Sequence, residues 1–389
     1  MIAEGEFGAC VLCGALALED VEAFRAFRRV TSDCRPFPPG GRLARCSACG
    51  GVQKPLDQAW LDDCQAIYSE YQLYALSEGR EQSVFDMSAD VMRTRASIVL
   101  EGVLDQLSFT DQPRVLDYGC GRGAMVSAVS ALFPGARVDG FDQTDDFEEE
   151  LRRLPGFRRL HMDTVDRAEG PWDLITMSHC LEHLPHPVAE LQALADMLDE
   201  RGQLLIQIPN ATVNPYDLVV ADHRTHFSAV SLTRLLNRAG FTIETLRDDV
   251  VATELTALAR PFAARTSGAR GALSSEAETG AAEEDFIAGH LSYLQDLVSL
   301  LGGAARRGPV AVLGSSIAAN WLIPHAPESI NLVLDEDATR HGKRLFGCPI
   351  MAPSRAPAGT EVVLPFVPDL ARSIASRLSH LPLTFHHIV

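Results

Sequence analysis

Four cysteines stand in two pairs, Cys10-Val-Leu-Cys13 and Cys46-Ser-Ala-Cys49, with Gly14 and Gly50 directly after them. Each CxxC turn can aim two thiolates at one ion. Two such turns complete a closed tetrahedral zinc site, and the following glycines suit the tight turns. Thirty-two residues separate the pairs, longer than the usual ribbon spacing. Four thiolates leave no open coordination position, so such a zinc would be structural. The competing reading is a set of free cysteines in a small reduced segment. Cys34 and Cys64 lie outside the pattern.

A second constellation is Val115-Leu-Asp117-Tyr-Gly119-Cys-Gly121-Arg-Gly123, set between an apolar strand-like run and the helical AMVSAVSALF. Glycines there let a ligand approach the backbone closely. Asp142, about twenty residues on in VDGFD, stands where an acid can take both hydroxyls of a ribose. Asp163, in HMDTVD, falls where a third strand should end. The dinucleotide fingerprint wants GxGxxG, and this run is DxGxGxG. A pyrophosphate cradle therefore fits less well than S-adenosylmethionine (SAM), whose amino-acid moiety would lie along the loop. The competing reading is a tight turn with no ligand.

The elements that must position these residues follow from apolar patterning. RVLDYG, ARVDGFD, DLITMSH and GQLLIQIP alternate with helical stretches, which implies a parallel sheet with crossover helices. Residues 261–284 are rich in Ala, Gly, Ser and Glu and read as a linker or mobile loop. EDFIAGHLSYLQDLVSLL then has helical spacing. PVAVLGSS, INLVLDED and EVVLPF read as buried strands of a second, smaller α/β unit. The expected division is 1–75, a zinc-binding module; 76–258, an α/β domain of the Rossmann-like class; 259–284, a linker; and 285–389, a C-terminal Rossmann-like α/β domain that binds substrate. Asn214-Pro-Tyr216 reads as a turn.

Composition bounds the function. The net charge is −18 from 34 basic and 52 acidic residues, which argues against a sequence-independent nucleic-acid binder. The 46% apolar share is ample for real cores. No uncharged apolar run is long enough for a transmembrane helix, and the start lacks the pattern of a signal peptide. A cytoplasmic protein is expected, with metal ligation or buried thiols as the use of its nine cysteines. The oligomeric state stays open.

The central residues resemble the class I SAM-dependent methyltransferases over roughly 90–250, through the glycine loop, WDLITMSHCLEHLPHP after the fourth strand, GQLLIQIPN as the fifth, and HFSAVSLTRLLNRAGF before a sixth. The resemblance implies that Asp117, Gly119, Gly121 and Gly123 line the methionine end. It places Asp142 on the ribose, and Asp163 with Thr164 near the adenine. His179 joins the cofactor-contact candidates. The whole chain is similar to the sugar C-methyltransferases acting on nucleotide-linked 4-keto deoxysugars. The similarity adds ARCSACGGVQ, IYSEYQLYALS and NLVLDEDATRHGKRLFGCPIMAP. Two departures stand out. The family's Tyr-His-Glu-His run is here Val220-Ala221-Asp222-His223, and its C-terminal Lys-Gly loop is here SSIAAN.

The resemblance implies C-methylation through an enolate, which needs a base, a donor for the enolate oxygen and tight alignment. His183 in LEHL is one candidate base. His223, oriented by Asp222, is the other and is favoured where Val220 replaces the family's tyrosine. His226 and His179 are reserves, and Tyr71 and Tyr74 are candidate donors. The plainer reading has His223 and His226 capping the helix SAVSLTRLL or bonding backbone carbonyls, and the tyrosines packing one module on another. The implied partner is a small-molecule nucleotide sugar, with no nucleic acid and no membrane. Competing functions are an O- or N-methyltransferase on a sugar or other secondary metabolite, an RNA methyltransferase, and a non-catalytic SAM-binding protein.

Overall fold

Seven strands form the central sheet: β1 (Arg114–Tyr118), β2 (Arg137–Phe141), β3 (Phe157–His161), β4 (Trp172–Ser178), β5 (Leu198–Pro209), β6 (Phe241–Arg247) and β7 (Glu254–Pro261). The computed structural model describes residues 8–72, 83–86, 91–108, 112–162, 164–165, 170–262 and 277–389. The strand order is β3-β2-β1-β4-β5-β7-β6. The first five strands run parallel, whereas β7 is antiparallel to both β5 and β6. This is the mixed α/β, Rossmann-like fold expected from the alternation of strands and helices. Val115, Leu116, Leu174 and Ile175 are buried on both faces of the sheet, as parallel strands covered by helices require.

Local signals explain the helix that docks the N-terminal segment. Helix α1 (Ala229–Ala239) starts in a capping box. The Ser228 hydroxyl accepts from the Ser231 amide, and the Ser231 hydroxyl accepts from the Ser228 amide. It ends at Gly240, with φ 93°. Arg234 and Arg238 of this helix donate to the backbone carbonyls of Cys49 and Val11 at 2.6 and 3.1 Å.

The N-terminal segment forms a four-stranded antiparallel sheet of Leu18–Asp20, Ala44–Cys46, Val52–Gln53 and Thr225–His226. The last strand comes from far along the chain, so residues expected inside the central domain complete the N-terminal sheet. A third sheet contains β8 (Val310–Leu313), β9 (Ile330–Leu334), β10 (Arg344–Leu345), β11 (Cys348–Met351), β12 (Thr360–Val363) and β13 (Leu383–His386), in the order β10-β11-β9-β8-β12-β13. All its pairings are parallel except that of β10 with β11.

The expected linker is ordered at both ends. Strand β7 runs to Pro261, and the helix Ala277–Ala305 starts before residue 284. Residues 263–276 lie outside the described residues. Phe24, Val30, Tyr216, Leu218, Val220, Leu294 and Trp321 share one apolar cluster. That cluster joins the N-terminal segment, the loop after β5 and the C-terminal part. Among the described residues, no helix is long and apolar enough to cross a membrane.

Candidate functional site

The four predicted thiols meet. Cys10 Sγ lies 3.6 Å from Cys49 Sγ, and Cys13 Sγ lies 3.7 Å from Cys46 Sγ. Tetrahedral coordination at about 2.3 Å per bond sets neighbouring sulfurs about 3.8 Å apart, so the donor set fits a zinc-sized ion. Gly14 and Gly50 both adopt φ 79° and return their amides to the carbonyls of Cys10 and Cys46. None of the nine cysteines is in a disulfide, and Cys34 and Cys64 are outside this cluster.

Asp117, one residue from the end of β1, lies between two neighbours set by register, Gly140 of β2 and Thr176 of β4. It is buried and accepts a hydrogen bond from the Thr176 hydroxyl at 2.7 Å. Gly119, Gly121 and Gly123 follow, all with positive φ. At Gly119 a Cβ would stand 2.9 Å from the Cβ and Sγ of Cys180, so the turn has no room there for a side chain. Asp142 follows β2 and closes over this loop. Its carboxylate accepts the amides of Gly121 at 2.7 Å, Gln143 at 2.8 Å and Thr144 at 3.3 Å. Burial pushes its pKa up against those three bonds. A glycine turn between two acids at the C-terminal strand ends, beside the β1/β4 switch in strand order, fits the SAM expectation. Thr164 is exposed beyond β3, and Asp163 lies outside the described residues.

Past β4 the chain makes a short turn, Leu181–His183. His179 precedes it with φ 50°. It sits between two buried carboxylates, Glu182 at 3.3 Å and Glu254 at 3.3 Å. Burial disfavours its charged ring, but Glu254 and Glu182 outweigh burial and the opposing Arg95, raising its pKa to about 9. Arg95 pairs with Glu254 at 2.8 Å. Those partners make His179 part of an ion-pair cluster at the strand end.

His183 Nδ1 lies 3.1 Å from the Asp222 carbonyl, 3.4 Å from its carboxylate and 3.2 Å from the Tyr68 hydroxyl. Burial opposes the charge on this ring, and Asp222 more than compensates, so its pKa is raised. Asp222 is itself held by Ser32, whose amide donates at 2.9 Å and whose hydroxyl donates at 2.5 Å. Its pKa is lowered although burial works the other way, because His183, His223 and Ser32 favour the carboxylate.

The expected Asp222–His223 pair is corrected by the geometry. The carboxylate that holds His223 is Asp217, whose Oδ1 is 2.6 Å from His223 Nδ1. Asp222 lies in a turn of the chain, Ala221–Asp222, that separates its side chain from that of His223. Asp222 therefore turns to His183 and Ser32 while His223 turns back to the Asp217–Val219 turn. His226 is no helix cap either, since Ser228 holds that position. Its Nδ1 takes the other Asp217 oxygen at 2.7 Å.

The rings of His183 and His223 stand edge to face with centroids 4.7 Å apart. Donor atoms of Glu182, His183 and His223 all lie within 4.8 Å of one another. The Tyr71 hydroxyl is 3.2 Å from Ser32 Oγ, one step behind Asp222. Tyr74 lies outside the described residues. Sequence reasoning missed Tyr68, Ser32, Asp217, Lys54 and Glu182. Tyr68 stands in the tyrosine-rich stretch that drew attention to Tyr71, and Asp217 directly follows the Asn214–Tyr216 turn.

Residues 92–246 match the family model described as a methyltransferase domain, Methyltransf_23. A trans-aconitate 2-methyltransferase of Methylobacterium nodulans is 35% identical over 104 residues, 26% of this chain and 40% of that protein. A ubiquinone biosynthesis O-methyltransferase of Shewanella pealeana is 28% identical over 114 residues, 26% of this chain and 46% of its own length. The chain thus spans less than half the length of these relatives. The solved mitomycin 7-O-methyltransferase MmcR is similar at 21% identity and a TM-score of 0.35, covering 42% of this chain and 54% of that one. Within residues 92–246, the chain carries a class I SAM-dependent methyltransferase domain.

Proposed function

We propose that this protein is a SAM-dependent methyltransferase that C-methylates a nucleotide-linked 4-keto deoxysugar through an enolate. The observation that carries this reading is the facing pair His183, after β4, and His223, after β5, each backed by its own buried carboxylate. Two histidines with separate carboxylates can divide acid and base duties. His223, held through Nδ1 by Asp217, presents its other nitrogen as the base. Asp217 then stabilises the imidazolium that forms. His183, whose pKa is raised, keeps its proton and donates to the developing enolate oxygen, with Tyr68 beside it. SAM supplies the electrophilic sulfonium methyl. Asp117, Gly119, Gly121, Gly123 and Asp142 are the residues that would hold it.

The four-cysteine cluster holds a structural zinc in this reading. The C-terminal parallel sheet, with Gly314 turning at φ 89° after β8, supplies part of the nucleotide-sugar site. A hydroxyl or amine acceptor is the second reading. Buried Val220 offers no hydroxyl where the sugar C-methyltransferases carry tyrosine, and one relative named above is an O-methyltransferase. Calorimetric titration of the protein, saturated with S-adenosylhomocysteine, against dTDP, UDP and GDP tests the acceptor class. Micromolar binding of one nucleotide is expected. Binding of none would overturn the nucleotide-sugar assignment and leave the methyltransferase with another acceptor.

A further inference from the structure

Behind His223 runs a chain of buried titratable groups. His223 Nδ1 meets Asp217 Oδ1 at 2.6 Å, and Asp217 Oδ2 meets His226 Nδ1 at 2.7 Å. His226 Nε2 meets Lys54 Nζ at 3.0 Å. Lys54 also donates to the carbonyls of His223 at 2.9 Å and Leu218 at 3.2 Å. Lys54, His226 and Asp217 are each at most 2% exposed.

Donor and acceptor arithmetic closes with an ionised Asp217, neutral rings and a Lys54 ammonium. An ionised carboxylate only accepts, so both Nδ1 atoms facing Asp217 carry hydrogens. With neutral rings, both Nε2 atoms are then bare. The bare His226 Nε2 and the two carbonyls are three acceptors, and an ammonium has three donors. One positive and one negative charge are thereby buried together, bridged by a neutral ring.

We propose that Lys54, supplied by the four-cysteine segment, is a positioning residue that acts through His226 and Asp217 to hold His223 in its Nδ1–H form, with Nε2 bare and ready as the base. This proposal rests on the reading of His223 as the base. It makes the docked N-terminal segment part of the acid–base machinery. Lys54 also clamps the 217–226 loop through two carbonyls, so one side chain fixes both the loop and the tautomer. The surrounding charges fit this arrangement. Around Lys54, burial and Arg29 oppose the ammonium, whereas Asp217 and Asp222 favour it, with the Cys64 thiol nearby; its pKa falls to about 7. His226 is pushed to about 4 by burial and Lys54, against the pull of Asp217, with His223 also opposing its charge. The shared proton therefore rests on the lysine. His223 faces Asp217, the His183 ring and Glu182, with Asp222 beside it in sequence.

The test is the ring-nitrogen spectrum of the full-length protein labelled with 15N-histidine, without substrate. His223→Gln and His226→Gln assign the signals. Both rings of the wild type are expected as Nδ1–H, with Nε2 unprotonated, near neutral pH. In Lys54→Met the protonation midpoint of His226 is expected to rise by about one pH unit or more, because the opposing cation is gone. A wild-type His223 protonated on Nε2, or an unmoved His226 midpoint in folded Lys54→Met, would overturn the proposal. If Lys54→Met does not fold, the wild-type tautomers decide alone. The readout needs no turnover, so a protein with the predicted tautomers but no methyl transfer would refute the function reading and keep the relay. Methyl transfer with the opposite tautomer would do the reverse.

Discussion

Asp217→Asn should be among the most damaging single-atom exchanges in the molecule. Asp217 is 2% exposed and spends one oxygen on each of two Nδ1–H donors, at 2.6 and 2.7 Å. An asparagine offers one accepting oxygen and one donating amide. One histidine then faces a donor, or flips its tautomer and turns an N–H toward Lys54 or the active-site side. The variant also leaves the Lys54 ammonium buried without its anion. Because the Lys54 pKa is already brought to about 7, the lysine can shed its proton when the anion goes, so the loss stays below that of a fully broken buried ion pair and is about 1–3 kcal/mol. That is still a sizeable part of the roughly 5–15 kcal/mol by which folded proteins are typically stable. Urea unfolding at about pH 7, with zinc held saturating, measures it through the midpoint and slope. The double variant Lys54→Met/Asp217→Asn removes both charges. It should cost about 1–3 kcal/mol less than the sum of the singles. A single-variant loss under about 1 kcal/mol, or additivity within about 0.5 kcal/mol, would refute the coupled-charge argument.

Other outcomes follow from the same geometry. Elemental analysis should find one zinc per chain; chelation should raise hydrogen exchange in the N-terminal sheet and at Thr225–His226, which pairs with Val52–Gln53. Unchanged protection in the chelated protein would contradict the structural role. Gly119→Ala must place a Cβ 2.9 Å from Cys180 at φ 85°, so affinity for S-adenosylhomocysteine should fall about tenfold or more in calorimetry. Unchanged affinity would remove the loop from the cofactor site. The pKa of His179 is raised to about 9, so its stabilisation is complete below its unfolded value of about 6.5 and is lost as pH rises through 9. The stability gap between wild type and His179→Gln should therefore shrink from pH 6 toward pH 10, roughly in step with deprotonation. A gap flat in pH would show that the carboxylates do not hold a charged ring.

Apolar runs such as RVLDYG and GQLLIQIP mark buried parallel strands because both faces of such strands are covered. The antiparallel insertion of β7 between β5 and β6 has no such signal. It pairs with its sequence neighbour β6 but also, at a distance, with β5, and ELTALARP shows no pattern that tells which way it runs. Paired CxxC spacing carries its own geometry, and the four thiols meet as that spacing requires. The true partner of His223 is hidden in the sequence because adjacency along the chain is not adjacency in space. Asp222 is next to His223 but points across to His183, whereas a short turn brings Asp217 back from six residues away. Lys54 gave no warning at all. A lysine after a cysteine knuckle reads as a solvated charge, and only carbonyls and a ring from residues 218–226 make its burial possible.

The proposed acid–base chemistry at carbon, assigned to His223 and His183, has a direct readout in proton exchange. The protein and S-adenosylhomocysteine are incubated in heavy water with a nucleotide-linked 4-keto deoxysugar, and deuterium is followed at the carbon beside the ketone. Deuterium should enter at that carbon, and His223→Gln should abolish its entry while calorimetric binding of the sugar nucleotide remains. A protein that binds the keto sugar without exchanging that proton, yet methylates a hydroxyl or amine when supplied with SAM, would contradict this chemistry.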